Sequence, residues 1–151
     1  MFKAYLAVLS YLLIGSSSAA LADALHDCAR LSGDAAIQAC DQAIRQNPRD
    51  AVSYANRGVE YRNKGDLDRA IADFTKAIEI DPKFAAAYNN RGIANGMRGE
   101  SDRAIRDFDQ AIKINPNYVD ALCSRGLTYS NKGLWDRAIQ DYDEAIKLSP
   151  N

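Results

Sequence analysis

A recurring stretch of the chain carries small and apolar residues at the spacing of one helix face. Ala70, Ile71, Phe74, Ala77 and Ile78 recur at three- and four-residue steps, which predicts an amphipathic α-helix. The stretch that leads into it, "NRGVEYRNKGDLDRAI", returns in altered form as "NRGIANGMRGESDRAI" and "SRGLTYSNKGLWDRAI". Each copy begins 34 residues after the last. A fixed period of this length predicts stacked repeats rather than one globular core.

Chain-breaking residues keep the same phase as the apolar pattern. They comprise all four prolines and two sets of three glycines: Pro48, Pro82, Pro116 and Pro150; Gly58, Gly92 and Gly126; Gly65, Gly99 and Gly133. The later glycine suits the left-handed position that ends a helix, and the proline closes the unit. The earlier glycine lies mid-helix, at a cost of about 1 kcal/mol relative to alanine. It therefore predicts a close helix approach, with Ala70 and Ala77 as the small facing residues.

Charged residues stand at the ends of the predicted helices. A basic residue precedes each later glycine, at the negative end of the first helix. Acidic residues open the second helix, where the helix dipole favours them. The basic set is Lys64, Arg98 and Lys132, and the acidic set includes Asp66, Asp68, Glu100 and Asp102. Each unit therefore reads as a first helix, a tight turn and a second helix.

The order of aromatic, small and rigid residues in each unit resembles the tetratricopeptide repeat. The three units read Tyr54, Gly58, Tyr61, Ala70, Phe74, Ala77, Pro82; Tyr88, Gly92, Asn95, Ala104, Phe108, Ala111, Pro116; and Leu122, Gly126, Tyr129, Ala138, Tyr142, Ala145, Pro150. Asn95 departs from the aromatic pattern, and Leu122 replaces tyrosine. The resemblance implies an all-α fold, a right-handed α-solenoid of antiparallel helix pairs.

The resemblance divides the chain into five segments. Residues 1–22 are read as a signal peptide, 23–50 as a degenerate capping helix pair, and 51–84, 85–118 and 119–151 as three repeats. In the degenerate pair, "DAAIQACDQAIRQNP" is in phase with the later second helices, and its short partner, roughly Asp23 to Leu31, lacks the glycine. This division predicts eight helices after the signal peptide.

The N-terminal segment has the order of a secretory signal peptide. Lys3 precedes an apolar run from Ala4 to Ile14, and small residues follow up to Ala22, so we expect cleavage before Asp23. The alternative is an uncleaved membrane anchor, although the 19 uncharged residues from 4 to 22 are barely enough to cross a bilayer. We therefore expect a periplasmic or secreted protein that leaves the membrane once the signal is cleaved.

Composition and motifs argue against an enzyme. The net charge of -1 provides no basic surface for nucleic acid. With one histidine, no Cys-x-x-Cys spacing and no Gly-rich phosphate loop, we expect no catalytic residues, no metal site and no cofactor. The favoured function is a protein–protein interaction module, with an envelope assembly or scaffold factor as one form of it. The alternatives are a thiol-based redox protein or a structural oligomer that stacks through its C-terminal helix pair.

Three cysteines bear on these alternatives. Cys28 and Cys40 fall on the two helices of the degenerate pair, and in an oxidising compartment a bridge between them would stabilise the fold by about 3 kcal/mol. Two buried thiols or a redox-active pair are the other interpretations. Cys123 is left over as an odd thiol, which either fills the place of Ala55 and Asn89 or links two chains.

Arginine and aspartate recur in phase with the repeat. The arginines are Arg57, Arg91 and Arg125, and the aspartates are Asp73, Asp107 and Asp141. Their recurrence predicts that each arginine meets an aspartate inside the stack, because a planar guanidinium suits a half-buried carboxylate. We expect these pairs to serve the architecture rather than chemistry.

In the family that the chain resembles, the first helices line a concave groove that binds a protein or peptide. Carried over, the groove residues are Val52, Ala55, Asn56, Val59, Arg62, Ala86, Asn89, Asn90, Ile93, Met97, Asp120, Ser124, Leu127 and Asn131. Val59, Ile93 and Leu127 would form an apolar ridge, which could also be partly core. Family members that grip acidic chaperone tails use a cationic carboxylate clamp, and of the matching places here only Asn90 fits. The last pair, where Trp135 and Tyr142 tolerate a half-wet place, is a candidate surface for self-association.

Overall fold

In a computed structural model of the protein, residues 20–150 are described, and they form eight α-helices without a strand. The first helix, α1, is described over residues 20–30. The others are α2 (Gly33–Gln46), α3 (Ala51–Asn63), α4 (Leu67–Ile80), α5 (Ala85–Met97), α6 (Ser101–Ile114), α7 (Val119–Asn131) and α8 (Trp135–Leu148). Residues 1–19 of the expected signal peptide lie outside the described residues.

The helices pack as successive pairs. α3 packs on α4, α5 on α6 and α7 on α8, while α2 contacts α3, α4 contacts α5 and α6 contacts α7. The first helices also meet one another, α3 with α5 and α5 with α7. This arrangement confirms the predicted all-α stack of helix pairs.

The later glycine of each repeat ends the first helix as predicted. Gly65, Gly99 and Gly133 have φ angles of 80°, 81° and 74°. After α3, the Gly65 amide donates to the Arg62 carbonyl and the Asp66 amide donates to the Tyr61 carbonyl, each at 2.9 Å. This double closure satisfies carbonyls that the helix end leaves free and reverses the chain towards the second helix.

The mid-helix glycine faces an aromatic ring of the second helix, so the expectation that Ala70 and Ala77 would face it was wrong. A Cβ atom built on Gly58 would lie 2.8 Å from Cε1 of Phe74. Gly92 and Gly126 meet Phe108 and Tyr142 in the same way, at 2.6 and 2.9 Å.

The two alanines pack outward, against the next helix pair. Ala77 lies in a cluster with Ala87 of α5, and Ala70 lies in a cluster with Ala94 of α5. The glycine therefore sets the spacing within a pair, and the alanines set the spacing between pairs.

The degenerate pair replaces the glycine–ring contact with a disulfide. Cys40 occupies the phase of Phe74, and Ala24 occupies the phase of Gly58. The predicted bond is present, joining Cys28 of α1 to Cys40 of α2 with Cα atoms 4.6 Å apart. Ala24, Cys28 and Cys40 are all buried. A small residue and a covalent bond thus fill the place that a ring fills in the later pairs.

The predicted arginine–aspartate pairs form in all three repeats. Arg57 donates from Nε and Nη2 to the two carboxylate oxygens of Asp73, at 2.8 and 2.7 Å. Arg125 binds Asp141 in the same two-pronged way, at 2.9 and 2.6 Å. The hydrogen bond to its aspartate is the main reason that the pKa of each of these guanidiniums is raised, and burial opposes it. Arg91 pairs with Asp107 through the same two nitrogens.

The remaining guanidinium nitrogen, Nη1, reaches back to the preceding helix pair, which the sequence analysis missed. Its acceptors all lie 16 residues earlier in the chain: Asp41 at 2.5 Å from Arg57, Thr75 at 3.1 Å from Arg91, and Asp109 at 2.6 Å from Arg125. Each arginine therefore joins three helices, and these acceptors, like the arginines, repeat every 34 residues.

Asn95, which departs from the aromatic pattern, has a role in the middle repeat. Its Nδ2 atom donates to Asp107 at 2.9 Å, and the residue is buried. In the flanking repeats, Tyr61 and Tyr129 occupy this position and lie beside Arg57 and Arg125, with each guanidinium carbon 5.9 Å from the ring centre. An amide hydrogen bond thus replaces a ring contact next to the ion pair.

The charges at the helix ends also link neighbouring pairs. Each basic residue before a turn glycine contacts an aspartate 30 residues earlier: Lys64 with Asp34, Arg98 with Asp68, and Lys132 with Asp102. The aspartates are exposed, so each link adds little stability. The Lys132 ammonium, by its hydrogen bond above all, lowers the pKa of the Asp102 carboxyl.

Replacing Gly92 by alanine is expected to destabilise the protein, because the added Cβ atom would overlap the Phe108 ring. We expect the free energy of unfolding to fall by about 1–3 kcal/mol. Gly96→Ala in the same helix is the matched control, since its Cβ would meet only Ala104 Cβ, at 3.8 Å. The control should gain up to about 1 kcal/mol of helix propensity. Urea denaturation measures both changes, and equal effects would contradict the packing assignment.

Arg91→Leu is expected to leave the Asp107 carboxylate buried without its cation, lowering the free energy of unfolding by about 3–5 kcal/mol. Arg103→Leu is the control, because Arg103 is exposed and pairs only with Glu100 one turn away. Its cost should stay below about 1 kcal/mol. Thermal unfolding followed by circular dichroism compares them, and a stable Arg91→Leu protein would refute the structural role.

Candidate functional site: the first-helix surface

The exposed and half-buried side chains of α3, α5 and α7 form one continuous surface, called here the first-helix surface. Twelve of the fourteen predicted groove residues have side chains at least partly exposed there. They are Val52, Asn56, Val59, Arg62, Ala86, Asn90, Ile93, Met97, Asp120, Ser124, Leu127 and Asn131. The sequence-based choice therefore brings together most of one surface, although exposure alone does not make these residues a binding site.

Two of the predicted residues lie inside the stack instead. Ala55 is 6% exposed and packs with Ala77 and Ala87, and Asn89 is 4% exposed. Both occupy the same phase of the repeat, on the side of the first helix that the next pair covers. Neither can contact a partner, so their assignment to the groove is corrected.

The buried layer around these two residues changes polarity from one step of the stack to the next. Ala55 lies in a cluster with the Phe84 ring, whereas Asn89 meets Tyr118, the tyrosine in the phase of Phe84. Burial raises the pKa of Tyr118, assisted by Asp120 and opposed by the hydrogen bond with Asn89. Among the described residues, the Asn89 Oδ1 atom has no hydrogen-bond partner. An apolar contact is thus replaced by a partly satisfied polar one.

Polar contacts tie the first helices together along the surface. Asn56 Nδ2 lies 3.9 Å from Cys28 Sγ, and Arg62 Nη1 donates to Asn90 Oδ1 at 2.7 Å. Burial lowers the pKa of Arg62, and the nearby Glu60 charge opposes this shift. Arg62 therefore bridges α3 and α5 instead of standing free as a cation for a ligand.

A depression of about 310 Å³ opens between α5 and α7. Its walls include five predicted groove residues, namely Ile93, Met97, Ser124, Leu127 and Asn131, and the Phe108 ring also lines it. Gly96 and Ser124 occupy the phases of Arg62 and Asn90, the pair that fills the preceding step. The depression forms here because these two residues are too small to fill the same space.

The sequence analysis missed Gly96 as a determinant of the surface. It considered glycines that recur in phase, and Gly96 is not one of them, because Arg62 and Ser130 stand at its equivalent positions. A comparison of what changes between repeats, in addition to what is kept, could have found it.

The chemistry of the depression is apolar with few charges. Met97 and Leu127 are each 57% exposed, a large fraction for apolar side chains. Ser124 and Asn131 add a hydroxyl and an amide at the wall. Such a surface can bind a side chain by packing and a backbone by hydrogen bonds.

Two other features bear on the remaining expectations. Cys123 is an exposed free thiol, whereas Cys28 and Cys40 are joined. Within residues 20–150, no group of three or more histidine, cysteine, aspartate or glutamate side chains is placed to hold a metal ion. None of the helices in this part of the chain has the length and hydropathy of a membrane span.

Comparisons with known proteins agree with this geometry. A family model described as tetratricopeptide repeat matches residues 51–84, 85–118 and 119–151. The crystal structure of MamA is 28% identical and has a TM-score of 0.72, over 76% of this chain and 67% of its own. No curated protein sequence matches the chain.

Two further solved structures contain a bound peptide. The first TPR of Spaghetti (RPAP3), bound to the HSP90 peptide SRMEEVD, is 28% identical with a TM-score of 0.65, over 67% of this chain and 80% of its own. The second TPR of the same protein, bound to the same peptide, is 30% identical with a TM-score of 0.65, over 70% and 97%.

Proposed function

The chain belongs to the tetratricopeptide repeat family, and on that premise we propose that it is a non-catalytic module that binds a protein or peptide on its first-helix surface. The depression between α5 and α7 carries this proposal, because it combines exposed apolar side chains with hydrogen-bonding groups. The peptide complexes of the two RPAP3 repeats support a peptide as the class of ligand.

The ligand that fits this surface is apolar rather than acidic. The places that a cationic carboxylate clamp would need hold Ala55, Val59, Asn90, Asp120 and Ser124. Ala55 is buried, Asp120 is negative and Asn90 already accepts from Arg62. We therefore propose an extended segment or a helix that inserts an apolar side chain between α5 and α7, unlike the acidic peptide SRMEEVD that is bound to RPAP3.

The proposed site of action is the periplasm or the cell exterior, where the protein would act as an envelope assembly or scaffold factor. Two observations support this proposal. The N-terminal segment has the order of a signal peptide, and the Cys28–Cys40 bond belongs to an oxidising compartment.

Filling the depression is expected to abolish partner binding without unfolding the protein. Gly96→Arg with Ser124→Asn would reproduce the Arg62–Asn90 pair at the next step, and Ile93→Glu would place a charge in the wall. The immobilised protein is exposed to envelope extracts, and captured proteins are compared by quantitative mass spectrometry. A partner should be enriched on wild type and reduced about tenfold or more on both variants, as loss of a central apolar contact implies.

Gln110→Glu is the matched control for this experiment, since Gln110 is exposed on the second helix α6 and lies away from the depression. It should retain the partner at the wild-type level. Recovery of the same proteins on all variants would contradict the proposed surface, provided that their melting temperatures agree.

Export predicts a defined covalent state of the mature protein. Intact mass and N-terminal sequencing of protein from the envelope fraction should show a chain that begins at Asp23. Titration of the unfolded, unreduced protein should detect one free thiol, that of Cys123. A retained Met1 would contradict cleavage, and three free thiols would contradict the oxidising location.

A further inference from the structure

The last helix of the described chain exposes a stripe that every earlier second helix covers. The stripe consists of Ile139, Tyr142, Asp143 and Ile146, which lie one and two turns apart on α8. Ile139 is 56% exposed and Ile146 is 63% exposed.

In the earlier second helices the equivalent isoleucines are no more than half-exposed, because α3, α5 or α7 packs over them. They are Ile37 and Ile44 on α2, Ile71 and Ile78 on α4, and Ile105 and Ile112 on α6. The stack therefore shows three times what kind of helix covers this stripe.

The stripe includes a carboxylate in a position that receives an arginine elsewhere. Asp143 continues the series of Asp41, Thr75 and Asp109, each of which accepts from the arginine of the following pair. Among residues 20–150, Asp143 has no ion-pair partner, and it is exposed. It is thus an acceptor of the same type whose donor is not supplied by the described chain.

A depression beside the stripe matches the place of an aromatic ring. It measures about 390 Å³, and Val119, Cys123, Ala145 and Ile146 are among its lining residues. These four are in phase with Ala51, Ala55, Ala77 and Ile78, which surround the Phe84 ring between the first and second repeats. The depression is therefore the equivalent, on the last pair, of a position that a ring occupies inside the stack.

The ring and the arginine stand seven residues apart on one helix. Phe84 precedes Arg91 by seven residues on α5 and its N-terminal turn, and Tyr118 precedes Arg125 in the same way on α7. Seven residues of α-helix span about 10 Å, two turns on one face. A small residue, Ala87 or Ala121, lies between them and is buried.

We infer that the end face, defined by Cys123, Ile139, Tyr142, Asp143 and Ile146, binds a helix of a partner protein that carries an aromatic residue and, seven positions later, an arginine. The ring enters the depression beside Cys123, and the guanidinium binds Asp143. This second interface is separate from the first-helix surface, which leaves the latter open for its own ligand.

A second copy of the chain does not offer such a helix at its N-terminal end. The equivalent positions on its first helix are Ser16 and Asp23, so the ring is missing and the charge is reversed. An Asp23 carboxylate against Asp143 would repel. Charge complementarity therefore favours a different protein over head-to-tail stacking.

The probe for this inference is a synthetic peptide with the sequence of residues 82–98, which contains Phe84, Ala87 and Arg91. A side-chain staple on the face opposite Arg91 keeps it helical. Isothermal titration calorimetry measures its binding to the intact mature protein. Asp143→Arg should weaken binding by about tenfold or more, the effect of one charge-assisted hydrogen-bonded pair. A peptide with Arg91→Glu should lose affinity for wild type and regain it with the Asp143→Arg protein.

Glu144→Arg is the matched control, because it makes the same charge change on the next residue of α8 and should leave binding unchanged. The groove variant Gly96→Arg should also bind the peptide normally, so failure of the proposed function would not affect this result. Absence of peptide binding to wild type, or equal affinity for Asp143→Arg, would overturn the inference. A concentration-dependent dimer in sedimentation that Ile146→Glu abolishes would overturn it too, since a second copy would then cover the face.

Discussion

One buried guanidinium in each repeat holds the stack together. It binds the aspartate of its own second helix with two nitrogens and reaches the preceding second helix with a third, so one side chain fixes both the pair and its neighbour. Charges taken out of water cost free energy unless their hydrogen bonds are satisfied. The fork geometry of arginine satisfies them here in a way that a lysine could not. The in-phase recurrence of arginine, aspartate and acceptor follows from that requirement.

Shape and charge divide the work of packing. Within a pair, a glycine admits the aromatic ring of the opposite helix, and between pairs, alanines bring neighbouring helices close. The degenerate pair has no ring at this place, and the Cys28–Cys40 bond lies there instead. The binding properties arise from the departures from this plan. Gly96 opens a depression because it is smaller than Arg62, and the stripe on α8 is exposed because no described helix follows it.

The sequence predicted the architecture well because the repeat presents each constraint three times. The helix pairs, the turn glycines, the arginine–aspartate pairs and the disulfide all followed from residues in phase. The partner of the mid-helix glycine was assigned wrongly, because periodicity does not tell which residue of the opposite helix faces it. Ala55 and Asn89 were placed in the groove for a similar reason, since a rotation of one residue, about 100° of helix, moves a side chain into the core. The second acceptor of each arginine depends on the stacking geometry between pairs, which no single unit encodes.

The covalent bond at one end of the array and the uncovered stripe at the other make the two ends mechanically unequal. In a linear array each unit is stabilised mainly by its neighbours. The C-terminal unit has one described neighbour and no cross-link, so local opening should start there and advance towards the disulfide. Fraying would then be directional, and a partner that covers α8 would act as a brake on it. The affinity of such a partner would be coupled to the rigidity of the whole array, including a surface that it never touches.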